Sequence, residues 1–121
     1  MDAKRHLRRV ALALRDALPA EHRQAAARAV AAQRLPFAIE PGKVVCGYAA
    51  IHSELDPAPL MRRFAEAGAQ LALPAVHGRS MPLVLRAWDF DAPLVPGPWG
   101  LQEPDADAPA VAPFAEFFRN L

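Results

Sequence analysis

The stretch "VVCGYAAIHSELDPAPLMRRFAEAGAQLALPAV", residues 44–76, decides the fold. Its first part, Val44 to Ala50, is a continuous apolar run without alternation. That pattern suits a strand buried on both faces, as in a parallel sheet covered by helices. The run stops at His52, Ser53 and Glu54. Pro57 to Ala67 then reads as a helix: Pro57 pre-sets its first turn, Leu60, Met61 and Phe64 form its apolar side, and Gly68 stops it. Leu71 to Val76 is the next strand, interrupted or ended at Pro74. A strand–helix–strand unit of this kind is expected to be right-handed with parallel strands.

Upstream, residues 3–17 fit a helix with Leu7, Val10, Ala11 and Leu14 on one apolar stripe. Lys4, Arg5, Arg8, Arg9 and Arg15 occupy its other positions, and Asp2 can cap its start. Pro19 ends it. A second, Ala-rich helix runs from Glu21 to about Gln33. Downstream, Pro82 to Trp88 is a third strand candidate. From Asp89 to Pro109 the chain reads mostly as loop, and Phe114 to Leu121 is helix-like. Three strands and three helices make a sheet that is incompletely covered.

Composition narrows the function classes. The 121 residues suffice for one small domain. With 53% hydrophobic and 22% charged residues the chain can bury a core. A formal net charge of +1 argues against whole-surface binding of nucleic acid or membrane. The single cysteine, Cys46, excludes a disulfide framework and reads as a small buried hydrophobe. No stretch approaches the roughly 20 apolar residues of a membrane span. Arg8, Arg9 and Arg15 interrupt any signal-peptide core, so a cytoplasmic location is expected.

Three places could carry chemistry, each with two readings. Lys4 and Arg8, four apart on one helix face, could grip a phosphate, Lys as a point charge and Arg as a fork. They could equally be a solvated face, as Arg5 and Arg9 suit. Glu54 sits at the carboxyl end of a buried strand, where open α/β sheets bind ligands. It could accept hydrogen bonds from a ligand or cap the following helix, although Asp56 is better placed for capping. In "VPGPWGLQEP", 95–104, Trp99 is held on a stiff loop, either to stack a flat ligand or to anchor the loop. Glu103 is equally ambiguous. The four histidines show no metal-ligand spacing, and there is no Walker loop, GxGxxG or GxSxG.

In this order, the pieces resemble the 5-formyltetrahydrofolate cyclo-ligase family, also called methenyltetrahydrofolate synthetase. The resembling residues are "KRHLRR" at 4–9, the 44–76 stretch, Met81, and "LVPGPWGLQEP" at 94–104. The resemblance implies an α/β fold: a three-layer sandwich with a mainly parallel sheet, here truncated. Residues 1–104 would be the N-terminal part of one cyclo-ligase-like domain, and 105–121 an unmatched tail.

It also implies an activity: ATP-dependent closure of 5-formyltetrahydrofolate to 5,10-methenyltetrahydrofolate, with ATP and Mg²⁺. Lys4 and Arg8 match the family's nucleotide-phosphate ligands, and Glu54 matches an acid on the folate ring system. Trp99 matches an aromatic wall of the folate pocket, with Tyr48 and Met81 as further members. The implied partners are a reduced folate and ATP. The full-length family is expected to be monomeric; the truncated chain, with an unpaired sheet edge and apolar helix faces, is expected to associate, fold marginally or rearrange its tail.

One departure is large. The family's "LGxGxGYYDR"-like loop, which supplies phosphate-binding amides and an Asp near magnesium, has no counterpart in this sequence. A fragment, a frameshifted product or a foreign tail after Pro104 would each explain it. Little or no cyclo-ligase turnover is then expected from this polypeptide alone. The alternative is a non-catalytic remnant that binds folate or nucleotide, or a small α/β interaction module.

Overall fold

The computed structural model describes residues 2–77 and 80–111. The helix-like segment read at 114–121 lies outside them. The elements run α1 (Asp2–Asp16), α2 (Ala20–Ala31), β1 (Val44–Cys46), α3 (Ala58–Glu66), β2 (Gln70–Ala75), β3 (Val84–Ala87), β4 (Leu94–Pro96), a 3₁₀ turn (Pro98–Gly100) and β5 (Gln102–Pro104). The expected α/β class holds. The three-stranded sheet has the order β1-β2-β3, and β4 and β5 form a separate antiparallel pair.

The strand–helix–strand unit forms as read: β1 and β2 are parallel, with Val45 opposite Leu71. The third strand turns back, so β2 and β3 are antiparallel and the described sheet is mixed rather than mainly parallel. Only eight residues, 76–83, separate β2 from β3. That is shorter than the crossover a parallel neighbour requires.

The two-sided burial expected of 44–50 belongs instead to β2. Leu71 and Leu73, on one pleat, are 2% and 1% exposed, and Ala72, on the other, is 0% exposed. β2 is the central strand and β1 an edge. Regular pairing of β1 ends at Cys46, with one further bond from Gly47 N–H to the Ala72 carbonyl at 2.9 Å. A Cβ at Gly47 would displace the Met61 thioether, which packs against the bare backbone there. Cys46 is a correction: it is exposed, because the edge strand's outer side is uncovered among the described residues. Partial burial of its sulfur still pushes the thiol pKa up.

Pro74 neither ends nor interrupts β2, which runs through it to Ala75. The Gln70 N–H and the Ala72 carbonyl point toward the β1 side, so by alternation the Pro74 nitrogen does too. β1 has ended by that level, and the missing N–H costs no ladder bond.

Met61, Phe64, Leu71 and Leu73 form the main buried cluster, where the apolar side of α3 meets β2. Arg63 fastens α3 to α2 by donating to the Ala31 and Gln33 carbonyls at 3.0 and 2.6 Å, which also satisfies the C-terminal end of α2. α1 is different. None of its residues is buried, and Leu7 and Leu14 on its expected core stripe are 67% and 68% exposed.

Residues 89–109 are mostly loop, as read, but two short strands interrupt them. β4 and β5 form a hairpin, with Val95 opposite Glu103, and β5 lies against β2. The Glu103 carboxylate accepts the Val76 N–H at 2.6 Å, fixing the hairpin to the end of β2. A side chain at Gly97 would occupy the space of Glu103. The tail begins in contact with the domain. Ala87 N–H donates to Pro109 and Val111 N–H to Leu85, both at 2.8 Å, so 109–111 runs along β3. No helix among the described residues is long and apolar enough to cross a membrane.

Candidate functional site

Where β1 ends, the chain makes a turn that its own side chains hold. Glu54 Oε1 accepts the Ile51 N–H at 2.9 Å, while the Glu54 N–H donates to the Ile51 carbonyl at 3.1 Å. His52 takes the left-handed conformation, φ 53°, between them. Asp56 accepts the Ala58 N–H at 2.9 Å and so takes the helix-capping role at α3. Glu54 is therefore not the cap. It bridges its own turn through one oxygen and stays half-buried.

Ser53, 4% exposed, is the buried polar residue of this turn. It accepts from Arg15 Nε at 2.8 Å and hydrogen-bonds Asp16. Nothing in a lone serine after an apolar run signals this. Arg15, which lies off the apolar stripe of α1, is drawn inward by it.

The turn forms part of a cavity of about 500 Å³, within the size range of small-molecule sites. Tyr48, His52, Glu54 and Asp56 enter it from the chain after β1. Arg23, Gln24 and Arg28 enter from α2, and Trp88 and Phe90 from the chain after β3. Trp88 and Phe90 pack edge to face at 4.7 Å, Trp88 Nε1 donates to the Ala92 carbonyl at 3.2 Å, and the Arg62 guanidinium lies 3.9 Å over the Phe90 ring. These bonds fix an aromatic surface in the cavity. The Tyr48 hydroxyl donates to the Leu55 carbonyl at 2.6 Å. Burial, and then the charges of Glu54 and Asp56, push its pKa up from the ordinary tyrosine value.

The sequence-read site residues divide. Glu54 and Tyr48 share the cavity. Lys4, Arg8, Met81 and Trp99 do not line it. Lys4 and Arg8 are exposed on α1, and Lys4 lies about 16 Å along the helix axis from the anchored Arg15. The structure does not bring these cations to Glu54. Met81 is 59% and Trp99 66% exposed. Trp99 holds φ 57°, ψ 29° at the hairpin tip, a strained conformation for a bulky residue. Arg23, Arg28, Trp88 and Phe90 line the cavity although nothing in the sequence marks them as site residues. Among the described residues no group of three His, Cys, Asp or Glu side chains could hold a metal ion.

A second, apolar groove follows the open edge of β1 between Phe37, Ile39, Val45 and Phe64. Its charged groups, Glu40 and Lys43, pair with each other at 3.9 Å on the surface, so it offers less to chemistry than the first cavity.

No family model and no curated protein matches the chain. Among solved structures it is similar to the 5,10-methenyltetrahydrofolate synthetase of Aquifex aeolicus, with 29% sequence identity and a TM-score of 0.71. The chain resembles that synthetase in fold as well as in sequence. The likeness takes in 91% of this chain but 55% of the synthetase, so the chain spans just over half the length of the protein it matches.

Proposed function

We propose that this chain carries the folate-binding part of a cyclo-ligase-like fold, whose reaction is the ATP-dependent closure of 5-formyltetrahydrofolate to 5,10-methenyltetrahydrofolate. In that reaction the formyl oxygen attacks the γ-phosphate of ATP and ADP departs. The neighbouring folate nitrogen then attacks the carbon that bears the phosphorylated oxygen, the carbon–oxygen bond breaks, and phosphate leaves. The protein's part is to position the reactants and stabilise charge. Magnesium would arrive with the nucleotide and neutralise its phosphates.

The observation that carries the reading is the cavity beside Glu54, in a chain whose fold matches a methenyltetrahydrofolate synthetase. Glu54 would accept hydrogen bonds from the donor-rich pterin, and Tyr48 would border the same space. Trp99, strained and exposed on its hairpin, and Met81 would close over bound folate. Lys4 and Arg8 are assigned to nucleotide phosphate on the sequence resemblance. The reading carries with it a cytoplasmic protein whose partners are small molecules.

A second reading is a chain that binds folate without turning it over. It is favoured by the position of Lys4 and Arg8 outside the cavity. Separate calorimetric titrations with 5-formyltetrahydrofolate and with magnesium ATP, and a spectroscopic assay for methenyl product, separate the readings. Folate binding with turnover supports the full reaction. Folate binding without turnover supports the second reading. Binding of neither ligand rejects both.

A further inference from the structure

Two arginines of α2 have no role in the reading above. Arg23 and Arg28 border the helix face centred on Ala20, Gln24 and Ala27, and all five residues line the cavity. Ala27 is buried at 3%, so this face is packed in place. Among the described residues neither guanidinium is in an ion pair or a hydrogen bond. The acids of the same cavity, Glu54 and Asp56, are engaged with backbone N–H groups of their own turn. The cavity therefore holds cations supplied by α2, acids supplied by the strand-end turn, and the aromatic pair Trp88 and Phe90.

We propose that Arg23 and Arg28 form an anion subsite that takes the carboxylates of the glutamyl tail of a reduced folate. The inference rests on the folate reading and extends it to the ligand's other end. A reduced folate has a neutral, donor-rich ring at one end, an aromatic linker and carboxylates at the other. The lining of the cavity holds a partner for each of these groups: an acid, an aromatic surface and a pair of arginines. Guanidinium forks suit carboxylates, each contact gaining strength from charge. A triphosphate fits less well, because Glu54 and Asp56 in the same cavity would repel its several negative charges.

The test compares 5-formyltetrahydrofolate with an analogue in which methylamine replaces the glutamate, the N-methylamide of 5-formyltetrahydropteroate, which carries no carboxylate, by calorimetry on the 121-residue chain. The R23Q/R28Q double variant is titrated alongside, as is magnesium ATP. Wild-type protein should bind the glutamate-bearing ligand about tenfold tighter than the analogue. The double variant should lose that preference and bind the analogue as wild type does, which also shows that it is folded. An equal preference in variant and wild type overturns the subsite while leaving folate binding intact. A variant that loses ATP binding and keeps the tail preference overturns it in favour of a phosphate site. Binding of neither folate ligand by wild type overturns the folate reading and the subsite with it.

Discussion

Arg15 donates to Ser53 at 2.8 Å, and that bond ties the end of α1 to the turn that presents Glu54. Asp16 bonds the same hydroxyl. α1 buries none of its own residues, so among the described residues this junction, more than packing, holds the helix.

Ser53→Ala is therefore expected to cost about 1–3 kcal/mol, because it leaves two polar partners around an apolar site. Urea denaturation measures the loss. Hydrogen exchange should show faster opening along residues 2–16 in the variant. Unchanged exchange there would mean that α1 is held by something else.

Tyr48 is the chain's only tyrosine, so its ionisation can be followed directly by ultraviolet absorbance. Burial and the nearby Glu54 and Asp56 charges raise its pKa above the ordinary 10.0. A raised folded-state pKa means that the stabilising contribution is complete below the unfolded value and is lost as pH climbs through the folded one. The titration should lie above that of free tyrosine, and stability should fall over the same alkaline range. Substituting Glu54 and Asp56 by their amides should move the titration back toward the free value.

Trp99 sits in the left-handed region at the hairpin tip with most of its surface in solvent. Trp99→Gly removes a steric cost of about 1–2 kcal/mol. Thermal unfolding should show the variant to be as stable as wild type or more so. Its folate affinity should nevertheless fall. A variant that loses stability and keeps affinity would make Trp99 a packing residue.

Leu73 is 1% exposed at the centre of β2. Leu73→Ala should cost about 2–5 kcal/mol, a large share of what a domain with so few buried residues can hold. Circular dichroism should find the variant partly or wholly unfolded at room temperature.

The 44–76 unit was readable because its signals agree. An apolar run, a proline at a helix start, a glycine at the stop and a second apolar run all point one way. What sequence could not give was which strand lies at the centre. Val44–Ala50 and Leu71–Val76 look alike as strings, yet pairing makes one an edge and the other buried, and Cys46 is exposed as a result. The hairpin at 94–104 was hidden because its prolines and glycines read as breakers, whereas Pro96 and Pro104 end short strands and Gly97 makes room for Glu103. Glu54 stands out in the sequence because strand ends are known positions for ligands, and Tyr48 only through the family resemblance. Arg23 and Arg28 do not stand out, since arginines on an Ala-rich helix look like ordinary solvated charges until α2 is packed beside the cavity.

The most direct measurement is the affinity of Glu54→Gln for 5-formyltetrahydrofolate. The amide can still accept the Ile51 N–H, so the turn should survive and stability should match wild type. If Glu54 receives the pterin's hydrogen bonds, the variant should bind about 1–3 kcal/mol more weakly, roughly a five- to 150-fold rise in Kd. Equal affinity in a folded variant would contradict the assignment of this cavity to folate through Glu54.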